Sequence, residues 1–192
     1  MYLADAVRLR TSPRADARVL AALQIVAGSL LVAALAQIAI PLPWTPVPIT
    51  GQTLGVLLAG AALGAKRGGA ALLLYLAEGA AGLPFFAGGA GGPHVFLGPT
   101  GGYLVGFPVA AVAVGALAER GWDRRFASTA AAMTVGTAIL FVTGAAWLGV
   151  FVGYEHALAM GVAPFLPGAA IKIGVAAAAM PLAWRWVGKR PA

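Results

Sequence analysis

"AALGAKRGGAA", residues 61–71, decides how often this chain crosses a membrane. Lys66 and Arg67 sit among three glycines, with apolar residues on both sides. Read as a turn, the stretch separates two short spans, about Ile49–Ala65 and about Gly69–Leu83. Neither is strong as an isolated span, and a single broken hairpin is the alternative reading. The orientation of everything downstream depends on the choice, so the rest of the chain has to settle it.

The surroundings are those of a protein solvated by lipid. Of 192 residues, 60% are hydrophobic and 10% charged, where soluble domains carry about 25% charged residues. The mean hydropathy is +0.88. The length suits one domain. With no cysteine there is no disulfide frame, thiolate nucleophile or cysteine-bound metal. The net charge of +7 does not indicate nucleic acid, because the basic residues lie between apolar segments and not on one polar face.

A membrane-crossing helix needs roughly 17–25 mostly apolar residues. Six candidates follow in order. The first is Val19–Ile40, ended by "PLPWTPVP", whose prolines cannot continue a helix. The two segments around 61–71 come next, with Thr50 or Gly51 near the cap of the second span. About Gly101–Ala118, Phe126–Val152 and Phe165–Val187 complete the set. Arg8, Arg10, Arg14 and Arg18 resemble the basic start of a cleaved signal, but 22 apolar residues exceed the roughly 7–15 of a signal core. The first span is therefore expected to be retained.

Charge gives an independent count. Four arginines precede the first span. Lys66 with Arg67, then Arg120 with Arg124 and Arg125, then Arg185 with Lys189 and Arg190 follow. Twelve of the thirteen basic residues thus fall on one side of a six-span fold, while the loops at 41–48, 84–100 and 153–164 carry none. Five spans would break that alternation. The positive-inside rule makes the basic side cytoplasmic. The expected fold is an all-α integral membrane protein with six transmembrane helices and both termini cytoplasmic. A tail of residues 1–18 precedes a membrane domain of 19–187, and residues 188–192 form a second tail.

The thirteenth basic residue is Lys172, the lone charge between Gly161 and Leu182. It lies about 8–10 Å below the outer boundary at about 1.5 Å per residue. A charge at a span's centre costs about 2.5–3.5 kcal/mol and usually faces a cavity or a partner. Snorkelling to the headgroups and pairing with Glu78 are two readings. The third is an ammonium awaiting an anion, which would select a small carboxylated ligand arriving from outside.

The outer loop favours a pocket. "GAAGLPFFAGGAGGPHVFLGPTGGY" (79–103) holds nine glycines, whose backbone can approach a ligand closely. Phe85, Phe86, Phe96 and Tyr103 can wall off an apolar body. Its prolines and aromatics point to an ordered lid over a flexible connector. No G-x-x-x-x-G-K-[ST] occurs, so it is no phosphate cradle. Small residues crowd the spans and allow close helix packing. Ser29 and Ala33 are expected to serve such packing, with a partner-facing role as the alternative.

Four segments carry a resemblance. "VPITGQTLGVLLAGAALGAKRGG" (47–69), "YLAEGAAGLPFFAGGAGG" (75–92), "LGPTGGYLVGF" (97–107) and "PFLPGAAIK" (164–172) resemble the biotin-specific substrate-binding (S) component of energy-coupling-factor transporters, the BioY family. The likeness runs nearly the whole chain. It implies the S-component fold, external loops closing over biotin, no ATPase of its own, and a cytoplasmic-membrane location in a prokaryote. It also implies partners: a transmembrane coupling protein and two ATP-binding-cassette ATPases, unless the protein acts alone. No enzymatic activity or cofactor is implied. In the family's Pro-Gly-Asp-x-x-Lys motif Lys172 matches the lysine, which the resemblance makes a ligand for the biotin carboxylate. The aspartate, expected to help hold the ureido ring, falls on Ala169. Either another acceptor serves, affinity is lower, or the residue was altered. Glu78, Gln52, Thr100 and carbonyls near Gly88 are the candidates, and Tyr103 and Phe86 complete the expected substrate-binding set.

Two other functions stay open. One is an S component for another carboxylated vitamin, which Ala169 leaves possible. The other is an intramembrane enzyme, but neither H-E-x-x-H nor G-x-S-x-G occurs. His94 and His156 fall in outer loops. Glu155 and His156 would diverge by about 100° on a helix, a poor ligand pair, and both read as solvated loop residues.

Overall fold

At Gly64 the backbone takes φ 78° and ψ 176°, a conformation essentially reserved for glycine. In the computed structural model, which describes residues 3–11 and 16–188, this single residue reverses the chain. Helix α3, Gln52–Ala80, is thereby split into limbs of 52–63 and 65–80. The limbs return on each other at backbone distance: a Cβ on Gly68 would lie 2.9 Å from Gly60 Cα. Segment 61–71 is therefore the turn between two short membrane helices.

Around this hairpin the other elements are helix α1 (Leu3–Thr11), α2 (Ala17–Ala36), strands β1 (Ala39–Leu42) and β2 (Thr45–Thr50), α4 (Gly101–Glu119), α5 (Phe126–Val152), α6 (Tyr154–Gly161) and α7 (Leu166–Gly188). Counting the limbs of α3 separately, α2, α3, α4, α5 and α7 supply six membrane helices, as the alternation of charge requires. Small residues let them meet closely. A Cβ on Gly60 would fall 2.6 Å from Ala111 O, and one on Gly115 only 2.4 Å from Ala65 N. The outer surface is apolar, with Leu23, Leu73, Val105, Val142 and Ile171 each 59% exposed or more. Such a belt suits hydrocarbon and not water.

Three departures from expectation are local. The first span stops at Ala36, four residues before Ile40. Gln37 caps it, donating from Nε2 to Ala33 O (2.9 Å) and to Pro84 O (3.2 Å). The proline-rich stretch beyond is not a loop but a hairpin, in which Ala39 pairs with Thr50 and Ile40 with Ile49. Its prolines are tolerated because a two-stranded ribbon consists only of edges. Third, the 153–164 loop contains α6.

Residues 3–11, expected in a tail, form α1, which packs against α3 and α7. Ala6 is buried there, and Asp5 pairs with Arg67 at 2.8 Å. Arg67 also donates to Gln24 Oε1, and Gln24 donates to Ala4 O. The α3 turn, the α4–α5 turn and the end of α7 meet on the same side. Ala65 N donates to Glu119 Oε1 (2.9 Å), and Trp184 Nε1 donates to Asp123 Oδ2. That side carries Lys66, Arg67, Arg120, Arg124, Arg125 and Arg185. Arg14, Lys189 and Arg190, and the side chains of Arg8 and Arg10, lie outside the described residues.

Candidate functional site

Opposite the basic end, β2, the first limb of α3, α4, α5, α7 and the 81–100 loop enclose a cavity of about 230 Å³. Its walls are mostly apolar: Leu57, Phe86, Val95, Leu104, Phe107, Leu140, Phe141 and Phe165. Thr50, Gln52, Thr53, Thr100 and Thr137 add hydroxyls and one amide, and Lys172 adds the charge. A mostly apolar chamber with a few convergent polar groups is the usual form of a small-molecule site.

Lys172 does not snorkel. From α7 its Nζ reaches across to donate to Thr50 O (2.6 Å) and Thr53 Oγ1 (2.8 Å). No carboxylate among the described residues lies within ion-pair distance of it. Glu78 is elsewhere. It is half-buried and accepts a hydrogen bond from the Ser29 hydroxyl on α2, so the Glu78–Lys172 pair, one of the three readings open for this lysine, does not form and Glu78 does not line the cavity. The cause is register: the face of α3 that carries Glu78 looks toward α2. Ser29 and Ala33 are accordingly buried within the bundle.

The loop is folded as a lid. Gly92 N donates to Gly79 O (2.7 Å) and Phe86 N to Ala90 O (2.9 Å). Phe86 is 1% exposed, and its ring occupies the space a side chain at Gly79 would need, 2.3 Å from where a Cβ would stand. Tyr75 meets Phe86 edge-on at 5.6 Å and stacks on Phe107 at 6.3 Å. Gly88, at φ 65°, turns the lid without lining the cavity; Ala87 and Ala90 line it instead.

Lys172, Thr100, Tyr103, Phe86 and Gln52 of the expected set do border the chamber. Two of them have their polar atoms committed inside the protein. Tyr103 donates its hydroxyl to Gly161 O and offers only its ring. Gln52, 5% exposed, accepts from Thr50 Oγ1 (3.0 Å) and donates to Tyr75 OH (2.6 Å), which donates on to Phe85 O (3.0 Å). Ala169 borders the cavity with a methyl group.

Thr53, Thr137 and Phe141 were not singled out by sequence. The run "TGQT" (50–53), polar within an apolar region, was the available signal for Thr53. The α5 wall had none. His94 is exposed, and His156 and Glu155 pair at 3.3 Å with both side chains exposed. No cluster of metal-binding side chains occurs among the described residues.

Three kinds of likeness bear on this site. Residues 10–189 match the model of the BioY family. The chain is 39% identical over 146 residues to "Biotin transporter BioY" of Rhizobium etli, covering 72% of this chain and 78% of that one. It is 40% identical over 139 residues to the Thermotoga maritima protein of the same description, covering 72% and 81%. It superposes with a TM-score of 0.78 on a crystal structure described as the S-component for biotin from an ECF-type ABC transporter. That match has 26% identity and covers 88% of this chain and 92% of the other.

Proposed function

We propose, because this chain belongs to the BioY family, that it binds biotin from the outer side of a membrane and serves biotin uptake as the substrate-binding component of an energy-coupling-factor transporter. The observation that carries this reading is the ammonium of Lys172. It stands in a largely apolar chamber, held by two neutral oxygens and facing no carboxylate among the described residues. Biotin has the complementary form, an apolar body with a carboxylate at one end and a ureido group at the other.

Energy coupling is assigned to partners, a transmembrane coupling protein with two ATPases, since no nucleotide-binding motif occurs in this sequence. The basic end would face the cytoplasm of a prokaryotic cell and meet them there. Uptake into vesicles with and without those partners distinguishes this from solitary transport.

The binding reading is tested with labelled biotin and detergent-purified protein. Binding should saturate. Lys172→Ala should weaken it at least about thirty-fold, because truncating one member of a buried charge pair costs about 2–5 kcal/mol. Ala169→Asp, which places an acceptor three residues from Lys172 on the same helix face, should tighten it about tenfold by offering the ureido N–H groups a charged partner. Saturable binding untouched by Lys172→Ala would remove the reading's basis. A weaker Ala169→Asp variant would show the new acid pairing with the lysine instead.

A further inference from the structure

An ammonium has three N–H bonds, and the cavity wall uses two of those on Lys172. The third is left for a ligand. A carboxylate has two oxygens, so one donor remains to be found.

The hydroxyls of the wall can be accounted for one at a time. Thr50 donates to Gln52 Oε1, Tyr103 to Gly161 O and Thr137 to Met133 O. Each is spent inside the protein. Thr53 differs. Its oxygen accepts from Lys172 Nζ, which leaves its proton directed away from the lysine, and that proton makes no hydrogen bond among the described residues. Thr100 also donates its hydroxyl to no acceptor among the described residues, but it is not joined to the ammonium.

From this accounting we propose that Thr53 is a second ligand for the substrate carboxylate. The third N–H of Lys172 takes one carboxylate oxygen and the Thr53 hydroxyl takes the other. Accepting from a cation polarises the hydroxyl and strengthens the bond it gives. The pair then reads an acid and rejects its neutral isostere, so Thr53 sets specificity for the charged form. The inference rests on the cavity being the biotin site.

The test compares biotin with its neutral carboxamide on detergent-purified full-length protein. Wild type should prefer the acid. Thr53→Val keeps the shape and removes the hydroxyl. It should weaken biotin about tenfold and the carboxamide less than about threefold, so the acid-to-amide ratio falls. Thr53→Ser should restore the ratio. A purely structural role would weaken both ligands equally. An unchanged ratio in Thr53→Val, or a Thr53→Ser variant as impaired as Thr53→Val, overturns the assignment. If the valine variant does not fold, Thr53→Ala gives the same ratio. Wild type that binds neither ligand defeats the functional reading itself, an outcome distinct from binding with the ratio intact.

Discussion

Asp123 shows how much one residue can hold. It sits in the turn between α4 and α5 and is 1% exposed. Trp184 of α7 donates to its Oδ2, Arg124 lies over the Trp184 ring at 4.4 Å, and Oδ1 has no partner among the described residues. Burial pushes its carboxyl above the ordinary range, while the Trp184 bond and the Arg124 charge pull it down. The sign follows from linkage. The folded protein holds this proton more tightly than the unfolded chain. Its stabilising contribution is therefore complete below about pH 4 and is lost as pH rises through the raised value. Asp123→Asn keeps an acceptor for Trp184 and does not titrate. The thermal midpoint of wild type minus that of Asp123→Asn, measured in detergent, should fall as pH is raised from about 4 toward neutrality. A difference that stays flat would mean that Oδ1 is solvated and the burial cost is absent.

At the scale of elements, the hairpin of α3 depends on its glycine turn and on what presses against it. The Gly64 backbone conformation costs another residue about 1–3 kcal/mol, and α4 leaves no room for relief because Gly115 already lies against Ala65. Gly64→Ala should therefore lower the thermal midpoint by more than Ala70→Gly, which tests only helix propensity at about 0.5–1 kcal/mol. Equal losses would show that the chain can move its turn to Gly68 or Gly69. The charges marked this turn in the sequence, because Lys66 and Arg67 cannot sit in hydrocarbon. The β1–β2 hairpin had no comparable mark: prolines at 41, 43, 46 and 48 argue against a helix but do not distinguish a ribbon from a loop. Helix α1 was hidden for another reason. Nine residues do not make a stable helix alone, and this one depends on α3 and α7, which only the folded bundle brings beneath it.

At the scale of the whole molecule, what the sequence revealed was order along the chain, and what it withheld was apposition. Lys172 stood out because a lone charge in an apolar span demands a reason. Its partners did not, because Thr50 and Thr53 lie more than a hundred residues away on other elements, and nothing in the apolar run of α5 marked Thr137 or Phe141 as wall. Glu78 looked like a counter-charge by depth alone; the rotation of its helix turned it to Ser29. The alternation of charge makes a global claim that can be tested directly. The chain has no cysteine, so single cysteines report without background. His94, Glu155 and Trp122 are exposed positions, the first two near the lid and the third at the basic end. Impermeant maleimide should label His94→Cys and Glu155→Cys on intact cells, and Trp122→Cys only after the membrane is opened. None of these substitutions removes a lysine or arginine, so the charges that set orientation are kept. The reverse pattern would place the lid and its ammonium on the inner side. Biotin could then not enter the cavity from outside, and the same geometry would have to serve export or sensing instead of uptake.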